Sequence, residues 1–241
     1  MEVRIAIPAY NEAEILQSNI AAVLNWCRSH LPAGVSWQVV IVDNQSTDET
    51  PRIAQALAMQ HPEIVYVQTK KKGKGAAIRT AWQSGPADVY CFMDADLATD
   101  LSALEPLVKG VRDGYDLVVG SRFHPQSKVK RSASRLLMSW GYRLLLKLVF
   151  RLNTTDAPCG FKAISGRAKE RLLPLVRDDA WFFDSELIIL AEHHHHRIKE
   201  IPISWHDPRS GRNKSRVNVI GVAGAYLRQV LELHRRLRRN D

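Results

Sequence analysis

The stretch that decides the fold is residues 88–96, DVYCFMDAD, in which an apolar run ends in two carboxylates. The run predicts a buried β-strand over Asp88–Met93, because it is short, apolar and continuous. Further apolar runs at Trp37–Val42 and Asp116–Gly120 follow the same pattern, and stretches with helical spacing of apolar residues separate them. Strands that alternate with helices of about 10 to 15 residues predict an α/β fold with a mostly parallel sheet.

Working outward from this stretch, strands and helices alternate along the first half of the chain. The predicted strands are Val3–Ala9, Trp37–Val42, Ile64–Gln68, Asp88–Met93 and Asp116–Gly120, and the helices are Glu12–Arg28, Thr50–His61, Lys74–Gln83 and Leu101–Arg112. The second half predicts the strands Phe161–Ile164 and Ile198–Trp205 and the helices Ser132–Leu152, Arg167–Val176, Asp184–Glu192 and Val219–Arg239. We predict a single domain over residues 1–241, in which the half 124–241 elaborates the half 1–123.

Charge and cysteine content limit the partners and the compartment. The 241 residues carry 34 Lys and Arg against 25 Asp and Glu, a formal net charge of +9, which favours nucleic acid, a phosphorylated ligand or an acidic membrane surface as partner. No window approaches the ~18 uninterrupted apolar residues of a spanning helix, and the first residues lack the layout of a signal peptide. Three isolated cysteines favour a reducing compartment. A secreted scaffold, an integral membrane protein and a disordered chain are therefore not expected.

Polar side chains follow three of the predicted strands, at the edge where ligands bind in open α/β sheets. They are Tyr10, Asn11 and Glu12 after the first strand, Asp43 after the second, and Asp94 and Asp96 after the fourth. Asp94 and Asp96 lie on the same side of an extended segment. A hard divalent cation such as Mg²⁺ or Mn²⁺, completed by substrate phosphate oxygens, would relieve their repulsion. The alternative interpretation is that the two acids are turn residues or cap the helix at Leu101.

Residues 70–76, KKKGKGA, form a basic turn with two glycines ahead of a predicted helix. We call it the basic loop. Such a turn exposes backbone amides to an anion, which is typical of a phosphate-binding loop, although its spacing does not match the GxxxxGK[ST] pattern of a Walker loop. A solvated basic turn is an equally open interpretation for Lys70, Lys71 and Lys72.

Residues 117–155 contain no acidic residue but many cations interleaved with apolar side chains. This pattern is typical of a helix in a membrane interface, with Lys and Arg near phospholipid headgroups. A solvated surface helix is the alternative, and nucleic acid is not favoured because no recognisable binding module accompanies the charge. A second basic set precedes the last helix: Arg209, Arg212, Lys214 and Arg216. His193–His196 predicts an exposed helix end, because four consecutive side chains cannot point to one ion.

Eight short motifs in register resemble those of one family. They are 7–12 IPAYNE, 42–48 VDNQSTD, 73–79 GKGAAIR, 94–99 DADLAT, 119–122 VGSR, 159–162 CGFK, 183–186 FDSE and 201–205 IPISW. The sequence is similar to the polyprenyl-phosphate glycosyltransferases of the inverting GT-A-fold class, which include the dolichyl-phosphate mannose and glucose synthases. The resemblance covers nearly the whole chain. It implies a GT-A fold, with a Rossmann-like, mostly parallel central sheet flanked by helices and with C-terminal interfacial, amphipathic helices. Within this single domain, residues 1–123 would form the half that binds the nucleotide sugar, and residues 124–241 the half that faces the acceptor and the membrane.

The resemblance also implies a role for each matching residue. The expected donor-binding residues are Pro8, Tyr10, Glu12, Asp43, Lys74, Arg79, Asp94 and Ala95. The expected metal ligands, for Mg²⁺ or Mn²⁺ at the diphosphate, are Asp94 and Asp96, and the expected acceptor-phosphate residues are Arg122, Arg135, Arg212, Lys214 and Arg216. The expected catalytic residues are Asp96, Arg122 and Asp184. Asp184, which would border the sugar together with Glu186, is the candidate base if one is used.

The implied reaction is metal-dependent, inverting transfer of a hexose, glucose or mannose, from a UDP- or GDP-sugar to a polyprenyl phosphate. The acceptor phosphate is already anionic near neutral pH, so its attack on the anomeric carbon needs little help from a base. The protein is expected in the cytoplasm, peripherally attached to the cytoplasmic face of an anionic membrane and not bound to nucleic acid. Two alternatives stay open: a glycosyltransferase with a saccharide or soluble hydroxyl acceptor, which needs a general base, and a non-catalytic basic protein that binds membranes or nucleic acid.

Three positions depart from the family pattern. Asn44 stands where a second acid often follows Asp43, and Ala98 stands where mannosyl-type relatives often carry Gln. The loop that commonly reads GSKV is here 213–217, NKSRV. The forms DADLAT and GKGAAIR favour glucose-transferring relatives.

Overall fold

The computed structural model describes residues 1–130, 133–206 and 219–239, and the side chains of 133–135 and 219–223 lie outside that description. The strands are β1 (Glu2–Ala9), β2 (Ser36–Asp43), β3 (Ile64–Gln68), β4 (Val89–Phe92), β5 (Leu117–Ser121), β6 (Lys128–Lys130), β7 (Lys162–Ser165), β8 (Ile198–Pro202) and β9 (Ser204–His206). The helices are α1 (Ala13–His30), α2 (Thr50–Gln60), α3 (Lys74–Gln83), α4 (Leu104–Arg112), α5 (Ala133–Phe150), α6 (Gly166–Leu172), α7 (Phe183–His193) and α8 (Val219–Leu237). A short 3₁₀ helix, Leu101–Ala103, precedes α4.

Seven of the strands form one sheet in the order β3-β2-β1-β4-β7-β5-β8. Its neighbouring strands are parallel except for β7, which runs antiparallel to both β4 and β5. The predicted mostly parallel sheet is therefore confirmed. Because β7 comes from the second half of the chain and lies between strands of the first half, the two halves share this sheet, and their expected functional division at residue 123 stays a prediction.

The middle strands of the sheet are buried along their length. Val39–Asp43 of β2 is buried at every residue, and so are β4 and β5. A sheet with one solvated face would show buried and exposed residues in alternation, whereas strands covered by helices on both faces read as continuous apolar runs. The apolar runs of the sequence therefore predict the layered arrangement correctly.

Helix α7 is a core helix, since each residue from Phe183 to Ala191 is buried. Phe183 packs on Trp82 with 6.0 Å between ring centroids, and Trp82 also contacts Phe92 at 5.9 Å. A helix buried on all sides has no solvated face for its polar residues. The acids of α7 must therefore find partners inside the protein, because an unpaired buried charge is strongly unfavourable.

The strand predicted over Ile198–Trp205 is wrong in its extent, because the structure has two strands, β8 and β9, separated at Ile203. The Ile203 amide donates to Ser127 Oγ (3.0 Å) and its carbonyl accepts from the Lys128 amide (3.0 Å), which directs the chain out of the large sheet. Strand β9 then pairs in parallel with β6. The sequence analysis missed β6, whose three residues are two lysines around one valine.

Helix α6 also differs from its prediction, since it ends at Leu172 and not at Val176. Pro174 has no amide with which to continue the hydrogen-bond ladder of the helix. The chain therefore leaves the helix, and the carbonyls of Leu173 and Val176 accept from the Arg79 guanidinium at 2.8 and 2.9 Å.

Helices α5 and α8 pack against each other and leave much of their surface exposed. Tyr142 of α5 and Tyr226 of α8 have ring centroids 5.2 Å apart. Val230, Leu233 and Leu237 of α8 are buried, at the spacing of one face of an amphipathic helix. Among the helices in the described part of the chain, none is both long and apolar enough to cross a membrane.

Candidate active site

The carboxyl ends of β1, β2 and β4 lie side by side, as the sequence predicts, because β1 pairs with both of the other strands. Pro8 and Ala9 at the end of β1 are in register with Val42 and Asp43 of β2. The Asn44 amide donates to the Ala9 carbonyl (2.8 Å), so the loop after β2 begins directly beside the loop after β1. The three loops that carry the predicted site residues therefore share one edge of the sheet.

The turn after β4, which we call the acid turn, carries Asp94 and Asp96 on a fixed backbone. Asn19 of α1 donates its side-chain amide to the Ala95 carbonyl (2.8 Å), and Asp96 Oδ1 accepts from the Ala98 amide (3.1 Å). Ala95 is buried, whereas the Asp94 side chain is 45% exposed. The turn thus holds Asp94 where a ligand can reach it.

The donor atoms of this turn suit a hard divalent cation. Within the described ranges, no group of three or more His, Cys, Asp or Glu side chains is placed to hold a metal ion by itself. Mg²⁺ and Mn²⁺ sites commonly take one or two carboxylates and complete the shell with substrate phosphate oxygens and water. The carboxylates of Asp94 and Asp96 therefore fit a cation that arrives together with a phosphorylated substrate.

Asp43 is completely buried, and both of its carboxylate oxygens accept hydrogen bonds from the protein. Oδ1 accepts from the Ser46 amide (3.0 Å) and Oδ2 from the Gln68 side chain (2.8 Å). The structure therefore gives Asp43 a positioning role for the loop after β2. The direct donor contact that the resemblance implies for Asp43 stays a prediction.

Tyr10 and Glu12 lie in the loop after β1, and the basic loop contacts Tyr10. Lys72 donates to the Tyr10 hydroxyl (2.9 Å), and its Nζ lies 4.1 Å from the ring centroid. The Glu12 amide donates to Thr50 Oγ1 at the start of α2 (2.8 Å). Lys72 is exposed but contacts a residue of the predicted donor side, so both interpretations of this lysine stay open.

The amides of the basic loop are already bonded within the protein. The Gly73 amide donates to Asn44 Oδ1 (2.8 Å), the Gly75 amide to the Ala180 carbonyl (3.1 Å) and the Ala76 amide to the Asp179 carbonyl (2.9 Å). The expected phosphate cradle of backbone amides is therefore wrong at these three positions. The basic loop contributes to the site through its lysine side chains.

Lys74 lies at the centre of a buried charge cluster. Its Nζ is 2.8 Å from Asp94 Oδ1 and 3.2 Å from Asp184 Oδ2. Lys162 lies 3.3 Å from the other oxygen of Asp184 and also donates to the Cys159 carbonyl. Burial by itself favours the neutral amine, but the charges of Asp184 and Asp94 outweigh it and raise the pKa of Lys74 above its ordinary value. Lys74 is therefore a permanent cation beside the half-exposed Asp94.

Asp184, the candidate base of the sequence analysis, has a different environment from the one expected. Its side chain is 3% exposed, and each carboxylate oxygen is paired with a lysine. A general base must come within hydrogen-bond reach of the proton that it accepts. In this structure Asp184 is the anchor of Lys74, and a direct role in proton transfer is not supported by its position.

Arg122, expected to bind phosphate and to act in catalysis, is paired with Asp156. Its Nε and Nη2 donate to the two oxygens of Asp156 at 2.7 and 2.6 Å, and its backbone amide donates at 2.8 Å. Burial raises the pKa of Asp156, but the charge and hydrogen bonds of Arg122 outweigh this and hold it below its usual range. The Arg122 side chain is 12% exposed. The structure thus places Arg122 in a buried ion pair, and its expected contact with the acceptor phosphate stays a prediction.

Arg79 and Glu186 are also engaged inside the protein. Besides its two carbonyl acceptors, the Arg79 guanidinium lies 3.5 Å from Asp179, so it holds the segment after α6, and its expected donor contact stays a prediction. Glu186 is 3% exposed and is paired with Arg236 of α8 at 2.6 Å. Of the expected acceptor-phosphate residues, Arg212, Lys214, Arg216 and the side chain of Arg135 lie outside the described residues.

Three residues that support the structure of the site were not predicted from the sequence. Asn44, noted only as a departure from a two-acid pattern, holds the basic loop. Gly160 is needed because a Cβ there would lie 2.4 Å from Asp94 Oδ2 and 2.7 Å from Lys74 Nζ. Asp156 had one signal, since it is the first acid after the long acid-free stretch.

Comparisons with known proteins identify the family. Residues 4–173 match the family described as Glycosyl transferase family 2. The chain is 34% identical over 231 residues to glycosyltransferase AglD of Haloferax volcanii, covering 95% of this chain and 37% of AglD. It is 28% identical over 239 residues to the dolichyl-phosphate beta-glucosyltransferase of Saccharomyces cerevisiae, covering 91% of this chain and 71% of the relative. The chain thus spans little more than a third of AglD.

Solved structures share the fold. Glucosyl-3-phosphoglycerate synthase from Mycobacterium tuberculosis, in complex with UDP, superposes with a TM-score of 0.71 at 20% identity, covering 98% of this chain and 79% of that one. Mannosyltransferase PcManGT from Pyrobaculum calidifontis, in complex with GDP-Man and Mn²⁺, gives 0.63 at 21% identity, covering 99% and 64%. The expected GT-A α/β fold is therefore confirmed. Since the family match covers more than half of the chain, this protein belongs to glycosyl transferase family 2.

Proposed function

We propose that this chain transfers a hexose from a nucleotide sugar to a polyprenyl phosphate with inversion at the anomeric carbon, and that it uses a divalent cation. One observation carries the proposal: the half-exposed Asp94 of the acid turn lies 2.8 Å from the buried cation of Lys74, at the edge shared by β1, β2 and β4. Such a site offers both a metal position and a fixed positive charge to a diphosphate. The dolichyl-phosphate beta-glucosyltransferases among the relatives support a lipid-phosphate acceptor.

The reaction needs more charge stabilisation than proton transfer. When bound, a divalent cation neutralises charge on the departing diphosphate. Asp94 and Asp96 would hold it, and Lys74, 2.8 Å from Asp94, would add a second positive charge. The acceptor phosphate is anionic near neutral pH, so the buried and doubly paired Asp184 has no proton to accept from it. The burial of Asp184 therefore favours a phosphate nucleophile over a hydroxyl acceptor, because a hydroxyl acceptor requires a base within reach.

We infer that the donor is UDP-glucose. Three relatives, from Saccharomyces cerevisiae, Trichomonas vaginalis and Homo sapiens, are by their names dolichyl-phosphate beta-glucosyltransferases, and the mycobacterial synthase has been solved with UDP-glucose and Mn²⁺. A GDP-mannose donor is the second candidate, favoured by the dolichol-phosphate mannosyltransferase of Pyrococcus furiosus at 27% identity and by PcManGT.

The decisive experiment is titration calorimetry with UDP-glucose and GDP-mannose, each with and without Mn²⁺, followed by a transfer assay. The assay compares a short-chain polyprenyl phosphate, 3-phosphoglycerate and a free saccharide as acceptors. The proposal expects Mn²⁺-dependent binding of UDP-glucose and transfer to the lipid phosphate alone. Transfer to the saccharide instead would support the hydroxyl-acceptor alternative, and salt-sensitive binding of polynucleotides without sugar-nucleotide binding would support a non-catalytic basic protein.

Gly160→Ala should weaken donor binding without unfolding the protein. The new methyl group would collide with Asp94 Oδ2 and Lys74 Nζ, the ends of two flexible side chains, and so would separate them. We expect the Kd of Mn²⁺–UDP to rise about tenfold, equivalent to about 1.4 kcal/mol. Gly141→Ala on α5, where an added Cβ meets nothing within 4 Å, serves as the control. Equal calorimetric affinities for the two variants would contradict the proposed role of the Lys74–Asp94 pair.

We propose that α5 attaches the protein to the surface of an anionic membrane, on the cytoplasmic face. Leu137, Leu144 and Leu148 are 75%, 56% and 73% exposed, and their spacing places them along one stripe of the helix. Arg143 lies beside this stripe, with its guanidinium 5.0 Å from the Trp140 ring centroid. An amphipathic helix with exposed leucine, tryptophan and arginine is typical of a membrane interface.

The double substitution of Leu137 and Leu148 by Ser should release the protein from vesicles. Burial of one leucine contributes about 1.5–3 kcal/mol, so we expect binding to weaken by at least about tenfold. The measurement is co-sedimentation with vesicles that contain phosphatidylserine, at low and high salt. Met59→Ser on α2 removes an apolar side chain that is 87% exposed elsewhere and should change nothing. Wild-type protein that stays in the supernatant would defeat the membrane proposal.

A further inference from the structure

Loop 177–182 lies between the C-terminal helix α8 and the basic loop. On its inner side, the carbonyls of Asp179 and Ala180 accept the Ala76 and Gly75 amides. These amides belong to the first turn of α3, where a helix leaves its donors without partners of its own. The position of loop 177–182 therefore sets the position of the first turn of α3.

The contact between the two loops is close. Gly73 has φ +144°, and a Cβ at that position would lie 2.0 Å from the Asp179 carbonyl oxygen. A Cβ at Gly75 would lie 2.9 Å from the Asp178 carbonyl oxygen. Because packed protein interiors do not leave space for independent movement, a shift of loop 177–182 must displace the basic loop.

On its outer side, the loop is held to α8 through Glu186. One oxygen of Glu186 accepts the amides of Arg177 and Asp178 at 3.0 and 2.7 Å. The other accepts Nη2 of Arg236 at 2.6 Å. Glu186 is 3% exposed and Arg236 16%, so this ion pair is largely shielded from water. A single carboxylate thus connects α8 with the loop.

Two further contacts join the same partners. Asp178 accepts the Ala180 amide at 2.8 Å with one oxygen, and the side chain of Gln229 in α8 donates to the other. Tyr226 of α8 donates its hydroxyl to the Trp181 carbonyl (3.0 Å). The loop therefore has fixed contacts with α8 at three places along that helix.

We propose that Glu186 is a positioning residue. It couples the position of α8 on loop 177–182 to the position in which the basic loop binds the donor. This proposal rests on the proposed function, which identifies the nucleotide sugar as the ligand of the basic loop. A substitution where α8 packs against α5 should therefore change the affinity for the nucleotide, although the substituted residue does not contact the nucleotide. Glu186 itself contacts neither sugar nor metal in this account, and it acts through Arg177, Asp178 and the carbonyls that hold α3.

The test is Arg236→Gln, studied by amide hydrogen exchange and calorimetry. Removing the Arg236 charge should loosen α8 and loop 177–182, so exchange at the Gly75 and Ala76 amides should accelerate by about tenfold or more. The Kd of Mn²⁺–UDP should rise by a similar factor. Arg235→Gln, an exposed neighbour on the same helix, should leave both measurements unchanged, and Arg236→Lys should restore part of the protection.

Several results would overturn the coupling. One is faster exchange in α8 with unchanged exchange at Gly75 and Ala76, and another is an equal effect of Arg235→Gln. If Arg236→Gln does not fold, Gln229→Ala tests the same connection through Asp178 and should also accelerate exchange at both amides. The exchange measurement uses no ligand, so it decides the coupling even where wild-type protein fails to bind UDP. That failure would count against the proposed function alone.

Discussion

Asp96→Ala is expected to reduce hexose transfer by about 10³-fold or more and to remove Mn²⁺-dependent binding of UDP-glucose. A divalent cation contributes several kcal/mol to charge stabilisation at a phosphoryl leaving group, and each 1.36 kcal/mol is about a factor of ten in rate. Asp94 alone cannot compensate, because it also pairs with Lys74 at 2.8 Å. The measurements are steady-state transfer to a polyprenyl phosphate and calorimetry of UDP-glucose with Mn²⁺.

Removal of the metal by EDTA should have the same effect on the wild-type protein, and added Mn²⁺ should reverse it. In Asp96→Ala, saturating Mn²⁺ should not restore transfer. Asp113→Ala removes a surface carboxylate that pairs with Lys109 on α4 and should retain wild-type rates. Full activity of Asp96→Ala, or of the EDTA-treated enzyme, would show that the acid turn does not work through a metal.

Asp156→Asn is expected to destabilise the fold by about 3–5 kcal/mol, the usual result of breaking a buried ion pair by removing one partner. The variant would leave the Arg122 guanidinium, 12% exposed, without its counter-charge. Urea unfolding followed by tryptophan fluorescence measures the loss. Glu49→Gln, in an exposed pair with Arg52, should leave the unfolding midpoint almost unchanged, as is usual for surface ion pairs. A similar midpoint for wild type and Asp156→Asn would mean that the pair does not stabilise the fold.

The contribution of Asp156 to the stability of the fold should decrease as the pH falls. Its pKa is held below the ordinary value, because the Arg122 charge outweighs the effect of burial. Such a carboxyl contributes stability above the unfolded-state pKa of about 3.9 and loses it as the pH falls through the lower folded-state pKa. The difference between wild type and Asp156→Asn should therefore be constant from pH 7 to about pH 5 and shrink below about pH 4. A constant difference down to about pH 3 would contradict this assignment.

The two predictions differ in how far the sequence alone supports them. Asp96 follows an apolar strand in an α/β pattern, and the rule that ligands bind at strand ends identifies it directly. Asp156 follows no strand, and no pattern in the neighbouring sequence indicates that Arg122 is its partner. Its role became visible only when the structure placed it against Arg122, which the sequence analysis had assigned to the acceptor phosphate.

The same distinction applies to the secondary structure. Continuous apolar runs predicted β2, β4 and β5 because burial on both faces leaves a local signature. The break at Ile203 and the short strand β6 depend on hydrogen bonds between Ile203 and the segment Ser127–Lys128. No local pattern records such a bond, so the prediction ran one strand through the break.

Hydrophobic periodicity and the residues that follow each strand were enough to predict the layered sheet and the acid turn, because both depend on residues that are neighbours in the sequence. Packing determined which charged side chains form ion pairs with each other. Arg122 and Asp156 are 34 residues apart, and Glu186 and Arg236 are 50 apart. A charged side chain taken out of water must find a counter-charge, and only the folded chain determines whether that counter-charge is a ligand or another part of the protein.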